Sequence, residues 1–328
     1  MIALVLALLK SGDGTSKKGS AHPFRKRFHA WWEGYELPDA PDDAAGGPGA
    51  GPLGDAEGGE DAAPEIPEAD PNVWSEERMK VVQMLWGSGF SKPGDLEYVL
   101  DLAKPFGLTK ENTMLELGAG LGGSSRGVVE KFGAYVDGFE LNEALVTKAN
   151  ELSKVEDMEK KVVIKPLDLQ SFELKHRYYD GCLIRELLMD IEDKGAMLNV
   201  VVDSLKTGKA LVVSDFFSPE PEPGEHLLKA MEAEKRPLFP CTVDEIVELL
   251  EERSCEIRVN NDETERHEDV IRAAWGEIAD LMQRKEVDET LSKALMLEMD
   301  KWDFRNAAYE AGELRLQRIV AFKTGDVS

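Results

Sequence analysis

Three things are scarce in this 328-residue chain, and each scarcity narrows what the protein can do. Cysteine is one. Cys182, Cys241 and Cys255 are odd in number, widely spaced and never in a C-x-x-C pair, so neither a zinc ligand set nor a disulfide framework is indicated. A reducing cytoplasmic setting is the expectation that follows. Basic residues are another: 39 Lys and Arg stand against 64 Asp and Glu, for a formal net charge of −25. So acidic a surface repels phosphate backbones and argues against nucleic acid as a partner. Long apolar runs are the third. The opening "MIALVLALL" is nine residues long, whereas a membrane-spanning helix needs about 20. Its first lysine follows the run, the reverse of a secretory signal. The expectation is a soluble protein with at most a peripheral anchor.

What is present divides the chain into three stretches. Residues 38–72 hold ten acidic residues, no basic one, and little apolar content beyond alanine. Such a segment cannot bury enough surface to offset its ordering entropy and reads as an extended, disordered linker. Residues 1–37 differ: six basic and three acidic residues, with Phe24, Phe28, Trp31, Trp32 and Tyr35 at near-helical spacing. Residues 22–37 read either as a contact for a partner protein or an anionic membrane surface, or as a helix folded back on the main domain. From Val73 to the C-terminus the composition is globular, with 42% hydrophobic residues over the whole chain.

In that last stretch strand and helix signals alternate. Ser75 and Asp95 head two capped helices, the second stopped by Pro105-Phe106-Gly107. Then "TMLELG", "AYVDGFEL", "KVVIKPLDL", "YDGCLIREL" and "GKALVVSDFF" read as strands separated by helical segments. Alternation of this kind predicts right-handed crossovers and a doubly wound α/β sheet. "TVDEIVELLEERSC" carries a capping box, with Thr242 and Glu245. "CEIRVNN" and "ELRLQRIVAFKT" read as two more strands, bracketing a helical lid insertion placed at about residues 256–312.

The chemistry begins at "MLELGAGLGGSSRG". Gly118, Gly120 and Gly123 also fit a dinucleotide fingerprint, G-x-G-x-x-G. A pyrophosphate over that turn would be repelled by Glu116, two residues before the first glycine. A carboxylate there suits a cationic ligand, such as an amino acid's ammonium or a sulfonium. Glu140 ends the second strand, 24 residues beyond Glu116, where an acid accepts both hydroxyls of a ribose. Asp168 ends the third, placed to accept an adenine amine with Leu169 against the ring.

With those residues in hand, Glu116-x-Gly118-x-Gly120, Glu140, Asp168 and the Asp180-to-Leu187 strand resemble the successive motifs of class I S-adenosylmethionine-dependent methyltransferases. The resemblance implies a seven-stranded Rossmann-like sheet ending in an antiparallel strand pair, and S-adenosyl-L-methionine as cofactor. "VVQMLWGSGFSKPGDLEYVLDL" is similar to the segment before the first motif in phosphoethanolamine N-methyltransferases, which act on small molecules. There an aromatic-Gly-x-Gly-aromatic loop covers the cofactor, which implies a place for Trp86. Leu141 and Arg185 are carried over to the cofactor site in the same way. "RELLMDIEDK" stands where that family has a catalytic histidine, and this chain has Asp190 at that position.

Methyl transfer from a sulfonium needs alignment and a dry pocket more than activation. For an amine or hydroxyl acceptor a base helps; Glu186 and Asp190 are the candidates, with Asp215 beside them, and no metal is implied. Each carboxylate also has a plainer reading as a helix cap or strand-end group. "RPLFPCTVDE" and the insertion, with Trp275, Trp302 and Tyr309, are expected to form the lid that chooses the acceptor. The reading is an enzyme that methylates a small molecule at nitrogen or oxygen. The alternative is a catalytically silent cofactor-binding scaffold or sensor.

Overall fold

The computed structural model describes residues 74–283 and 289–325, with side chains outside 280–290. The basic and aromatic segment at 22–37 and the linker at 38–72 lie outside the described residues. No helix among the described residues is long and apolar enough to cross a membrane.

Two short helices lead in, α1 (Glu76–Trp86) and α2 (Leu96–Ala103). Each starts where its cap places it: the Ser75 hydroxyl accepts from the Arg78 amide at 3.2 Å and the Asp95 carboxylate from the Tyr98 amide at 2.9 Å. A 3₁₀ turn at Lys104–Phe106 follows, closed by Gly107 in the left-handed region. Then come β1 (Thr113–Leu117), α3 (Gly123–Phe132), β2 (Tyr135–Glu140), α4 (Glu143–Val155), β3 (Val162–Pro166), β4 (Gly181–Arg185), α5 (Lys194–Ser204) and β5 (Ala210–Phe217). The chain continues with α6 (Glu225–Glu234), α7 (Val243–Glu251), β6 (Cys255–Asp262), α8 (Thr264–Gln283), α9 (Glu289–Glu310) and β7 (Arg315–Lys323).

The strands form one seven-stranded sheet in the order β3-β2-β1-β4-β5-β7-β6. The first five run parallel, and β7 lies antiparallel between β5 and β6. From β1 the chain winds outward through β2 to β3, then returns to β4 on the other side of β1 and winds the opposite way. Between β1 and β4, therefore, lies the switch point at which such sheets bind ligands beyond their carboxyl ends. The expected doubly wound sheet with its antiparallel pair is what is found.

Side-chain alternation sets which face each residue serves. Leu115, Leu117, Cys182, Ile184, Leu211 and Val213 face α5 and α7 in one core layer. Met114, Leu183 and Val212 face the other layer with Val99, Leu102 and Val128. By the same period of two, Glu116 and Arg185 point into the second layer, beneath α2 and α3, while Asp215 points into the first.

Two elements differ from the sequence expectation. The helical insertion begins at Thr264, because 255–262 is strand β6 paired along β7. Helix α6 went unread: "GEHLLKAMEAE" starts at Gly224 with no side-chain cap bond, and the acid-rich run showed no start signal. The Thr242–Glu245 capping box is present as expected.

Gly181 opens β4 against the Phe106 ring, and a Cβ there would stand 2.6 Å from two ring carbons. Gly181→Ala forces that buried ring to shift and is expected to cost about 1–3 kcal/mol. Chemical denaturation reads this as a lowered midpoint at unchanged slope.

Candidate functional site at the carboxyl edge of the sheet

The turn after β1 is shaped by two glycines. Gly118 (φ 78°) and Gly120 (φ 55°) lie in the left-handed region that side chains disfavour. Space enforces the same choice: a Cβ on Gly118 would stand 2.4 Å from the Arg185 carbonyl oxygen, and one on Gly120 would strike the Ser91 hydroxyl. The turn is hung on β2, because the amides of Gly118 and Ala119 both donate to the Phe139 carbonyl, at 2.9 and 3.1 Å. Glu140 completes the link. It is almost fully buried; one carboxylate oxygen accepts from the Gly120 amide at 2.8 Å and the other from the Asn142 amide at 3.1 Å. Each oxygen keeps acceptor capacity beyond those bonds.

Glu116 is fully buried, and its two oxygens accept from the hydroxyls of Ser124 and Ser125 at the start of α3. Its carboxylate is thus taken up inside the second layer, instead of being presented at the strand tips as its place before the turn suggested. Strand alternation is the reason: Glu116 shares the face of Met114. Burial pushes its pKa up, against the two seryl bonds and the charges of Arg185 and Lys92.

Across the switch point, Arg185 is buried with its guanidinium donating to the Pro93 carbonyl and lying over the Tyr98 ring at 5.8 Å. The next residue, Glu186, has φ 44°, a strained value for a residue with a side chain. Its amide donates to the Ser214 carbonyl at 3.0 Å, and its side chain is nearly buried, 3.9 Å from the Arg185 Nε. Strain of this kind is kept where surroundings over-determine it, often at functional positions.

The loop after α1 lies directly on this edge, and it brings a residue that sequence reasoning missed. Residues 87–94, between α1 and α2, cover the glycine turn: the Gly123 amide donates to the Gly89 carbonyl at 2.8 Å. Lys92 reaches in from this loop. Its ammonium donates to the carbonyls of Gly118 at 2.8 Å, Arg185 at 2.7 Å and Glu186 at 3.2 Å. The only hint in the sequence was the loop's similarity to a cofactor cover; no periodicity marks a lone lysine in "FSKPG".

The remaining expected residues scatter around this centre. Trp86 ends α1, buried against Trp302 of α9 in an edge-to-face pair with centroids 5.3 Å apart. Leu141 is half-buried against the first core layer. Asp168 and Leu169 sit exposed beyond β3; Asp168 accepts from the Ser171 hydroxyl at 2.6 Å and the Gln170 amide at 3.0 Å, which hold its pKa down. Asp190 is not free: it is ion-paired with Arg236. Asp215 is not free either, since it accepts from the amides of Leu187 (2.7 Å), Leu188 (2.8 Å) and Phe216 (2.8 Å). Burial nevertheless raises its pKa to about 6. Of the proposed bases, Glu186 alone lies beside the switch point without a hydrogen bond that commits its carboxylate among the described residues.

Helices α8 and α9 pack an aromatic cluster against Phe216 of β5 and Trp86 of α1. His267 of α8 is buried 3.0 Å from the Tyr309 hydroxyl of α9, with its ring 5.6 Å from Phe216 and 6.0 Å from Trp302. Burial, with Arg185 and Arg305 nearby, lowers its pKa to about 3, so it is neutral at physiological pH. Glu234 of α6 pins the lid. Burial opposes its charge, but Arg305 and Lys301 outweigh that and hold its pKa below the usual carboxylate range.

No protein-family profile matches the chain. Relatives are found one by one. A phosphoethanolamine N-methyltransferase of Plasmodium falciparum is 24% identical over 181 residues, 55% of this chain and 66% of that protein. Phosphoethanolamine N-methyltransferase 2 of Caenorhabditis elegans is 26% identical over 133 residues, 40% of this chain and 30% of that one. The solved structure of the Haemonchus contortus phosphoethanolamine N-methyltransferase 2 with S-adenosyl-L-methionine overlays with a TM-score of 0.64 at 18% identity, covering 75% of this chain and 57% of that one. The chain has the class I methyltransferase fold. Its match spans less than two thirds of these relatives' own lengths.

Glu116 and Asp215 both carry raised folded-state pKa values. Between the unfolded carboxylate pKa and the folded one, only the unfolded chain has given up its proton, so stability falls as pH rises through that window. For Asp215 the window runs from 3.8 to about 6. Carboxylates held low, such as Asp101 and Glu234, act in the opposite direction, so the effect is read as a difference: in thermal melts over rising pH, Glu116→Gln should lose less stability, or gain more, than the wild type. An identical slope in the variant would mean that Glu116 is not held in its protonated form there.

Proposed function

We propose that this chain is an S-adenosyl-L-methionine-dependent methyltransferase acting on a small molecule, with nitrogen or oxygen as the methyl acceptor. The observation that carries the reading is Glu140. Its buried carboxylate fastens the glycine turn to the tip of β2 and retains acceptor capacity at the switch point. A ribose diol is the ligand part that such a carboxylate serves. The residues fit the cofactor in other respects. The glycine turn carries no side chain of its own at Gly118 and Gly120, the three carbonyls that now hold Lys92 suit an ammonium group, and Asp168 and Leu169 are exposed where an adenine would extend.

When bound, the cofactor supplies a methyl group on a sulfonium, already activated for displacement. The protein's part is to align the acceptor and keep water out. The buried aromatic cluster of Trp86, Phe216, His267, Trp302 and Tyr309 suits the exclusion of water. Three of its buried polar atoms, Nε1 of Trp86, Nε1 of Trp302 and Nε2 of His267, have no hydrogen-bond partner among the described residues, and neither does Nε of Arg185. Buried polar groups are seldom left so, and a polar acceptor seated there would satisfy them. Glu186 is the nearest carboxylate for a proton released by the acceptor.

A silent cofactor-binding scaffold is the second reading. It is favoured by one observation: Asp190, which stands at the relatives' histidine position, is committed to Arg236. Turnover separates the two. Labelled S-adenosylmethionine with a metabolite extract should yield a labelled small molecule and S-adenosylhomocysteine; binding without any labelled product favours the scaffold.

Glu140→Ala removes a charge-assisted contact of about 1.5–3 kcal/mol, so S-adenosylhomocysteine should bind at least about tenfold more weakly by calorimetry. Unchanged affinity would place the ribose elsewhere.

A further inference from the structure

Among the described residues, Lys92 is a cation held by three backbone carbonyls and by no carboxylate. Gly118 at the tip of β1 and Arg185 and Glu186 at the tip of β4 each offer an oxygen, and the ammonium donates to all three at 2.7 to 3.2 Å. An ammonium has three donors, so the cage is filled. The carbonyls converge because the strands part at the switch point, and Glu186 adds a third oxygen because its positive φ turns its carbonyl back. A cage of this kind selects a primary ammonium by geometry, whichever molecule carries it.

The proposed cofactor carries one too, on the methionine part that must pass the glycine turn. We infer that Lys92 is an internal competitor for that group: its ammonium fills the cage, and the ligand's α-ammonium must displace it. This inference rests on the cofactor reading above and adds to it a residue that sets affinity for the amino-acid end of the ligand.

The surroundings allow the exchange. Lys92 rides on the loop 87–94, and Gly87 (φ 99°), Gly89 (φ 77°) and Gly94 (φ 106°) give that loop backbone freedom at both ends. The loop is otherwise tied by three bonds that leave the Lys92 side chain itself unconstrained: Gly123 amide to Gly89 carbonyl, Gly89 amide to the Gln83 side chain at 2.9 Å, and the Arg185 guanidinium to the Pro93 carbonyl. Withdrawal of Lys92 leaves the carbonyls unpaired only until the ligand arrives. One ammonium replaces another, and the carbonyl bonding is conserved through the exchange. Lys92 also helps to offset the buried charges of Glu116 and Asp215, so its position is felt by both.

The test is a two-by-two cycle. The wild-type chain and Lys92→Met are titrated by calorimetry with S-adenosylhomocysteine and with its analogue in which the α-amino group is replaced by hydrogen. Competition predicts that Lys92→Met binds S-adenosylhomocysteine at least about fivefold more tightly than the wild type, since a charge-assisted bond set is freed for the ligand. It also predicts that the two proteins bind the amino-free analogue alike. Lys92→Gln, which keeps a neutral donor, should fall between them and serves if Met is not tolerated. Should the substitution weaken both ligands equally, Lys92 is a fixed strut and the inference is overturned. Selective weakening of S-adenosylhomocysteine would also overturn it, by making Lys92 a helper of the ligand. Failure of the wild-type chain to bind either ligand would refute the cofactor reading itself.

Discussion

Parallel strands that separate at a switch point leave peptide groups without a partner in the sheet, and this site is built around satisfying them. The gap between β1 and β4 exposes the carbonyls of Gly118, Arg185 and Glu186, and the turn after β1 leaves the Gly120 amide facing β2. Buried backbone groups must find partners. The chain meets the demand with Glu140 for the amide and Lys92 for the carbonyls. Both answers use a charged side chain at the place where a charged, hydroxylated ligand would dock. The same peptide groups thus make the fold a candidate binding site and dictate which groups a ligand must bring.

Burial decides which of the many acidic residues take part. The surface is heavily anionic, yet the carboxylates that matter are those withdrawn from solvent. Glu116 is locked to two serines, Asp215 to three amides and Asp190 to an arginine. Each braces the frame. Glu140 and Glu186 remain at the edge itself, one beneath the glycine turn and one on a strained residue beside the lid. Elsewhere, a neutral buried histidine packs among Trp302, Phe216 and Tyr309, with Trp86 against Trp302, in a water-poor aromatic cluster of α8 and α9, and Glu234 ties α6 to α9. Dryness and alignment are what a displacement on a sulfonium asks of a protein.

Much of the sheet was legible because period-two strands, glycine stops and caps are local signals. Ser75, Asp95 and Thr242 each cap the helix that they were expected to open. The glycine turn and Glu140 were legible for the same reason, since their spacing follows strand by strand. What failed to show was direction and distance. Glu116 was read by its position before the turn, but the alternation that puts it beside Met114 carries it to the serines of α3. Asp190 looked available until Arg236, some forty-six positions further on, was seen to claim it. Lys92 is linked to carbonyls 26, 93 and 94 positions away. No sequence window reports such contacts, because they arise only when the sheet closes.

The central claim is that the edge shared by β1, β2 and β4, under the 87–94 loop, is where an adenosylated cofactor binds. Amide hydrogen exchange with and without S-adenosylhomocysteine tests it directly. The account predicts slower exchange concentrated in residues 87–94 and 118–123 and at the tip of β2 when the ligand is added. Unchanged exchange in those segments, with protection appearing elsewhere in the sheet or nowhere, would contradict it.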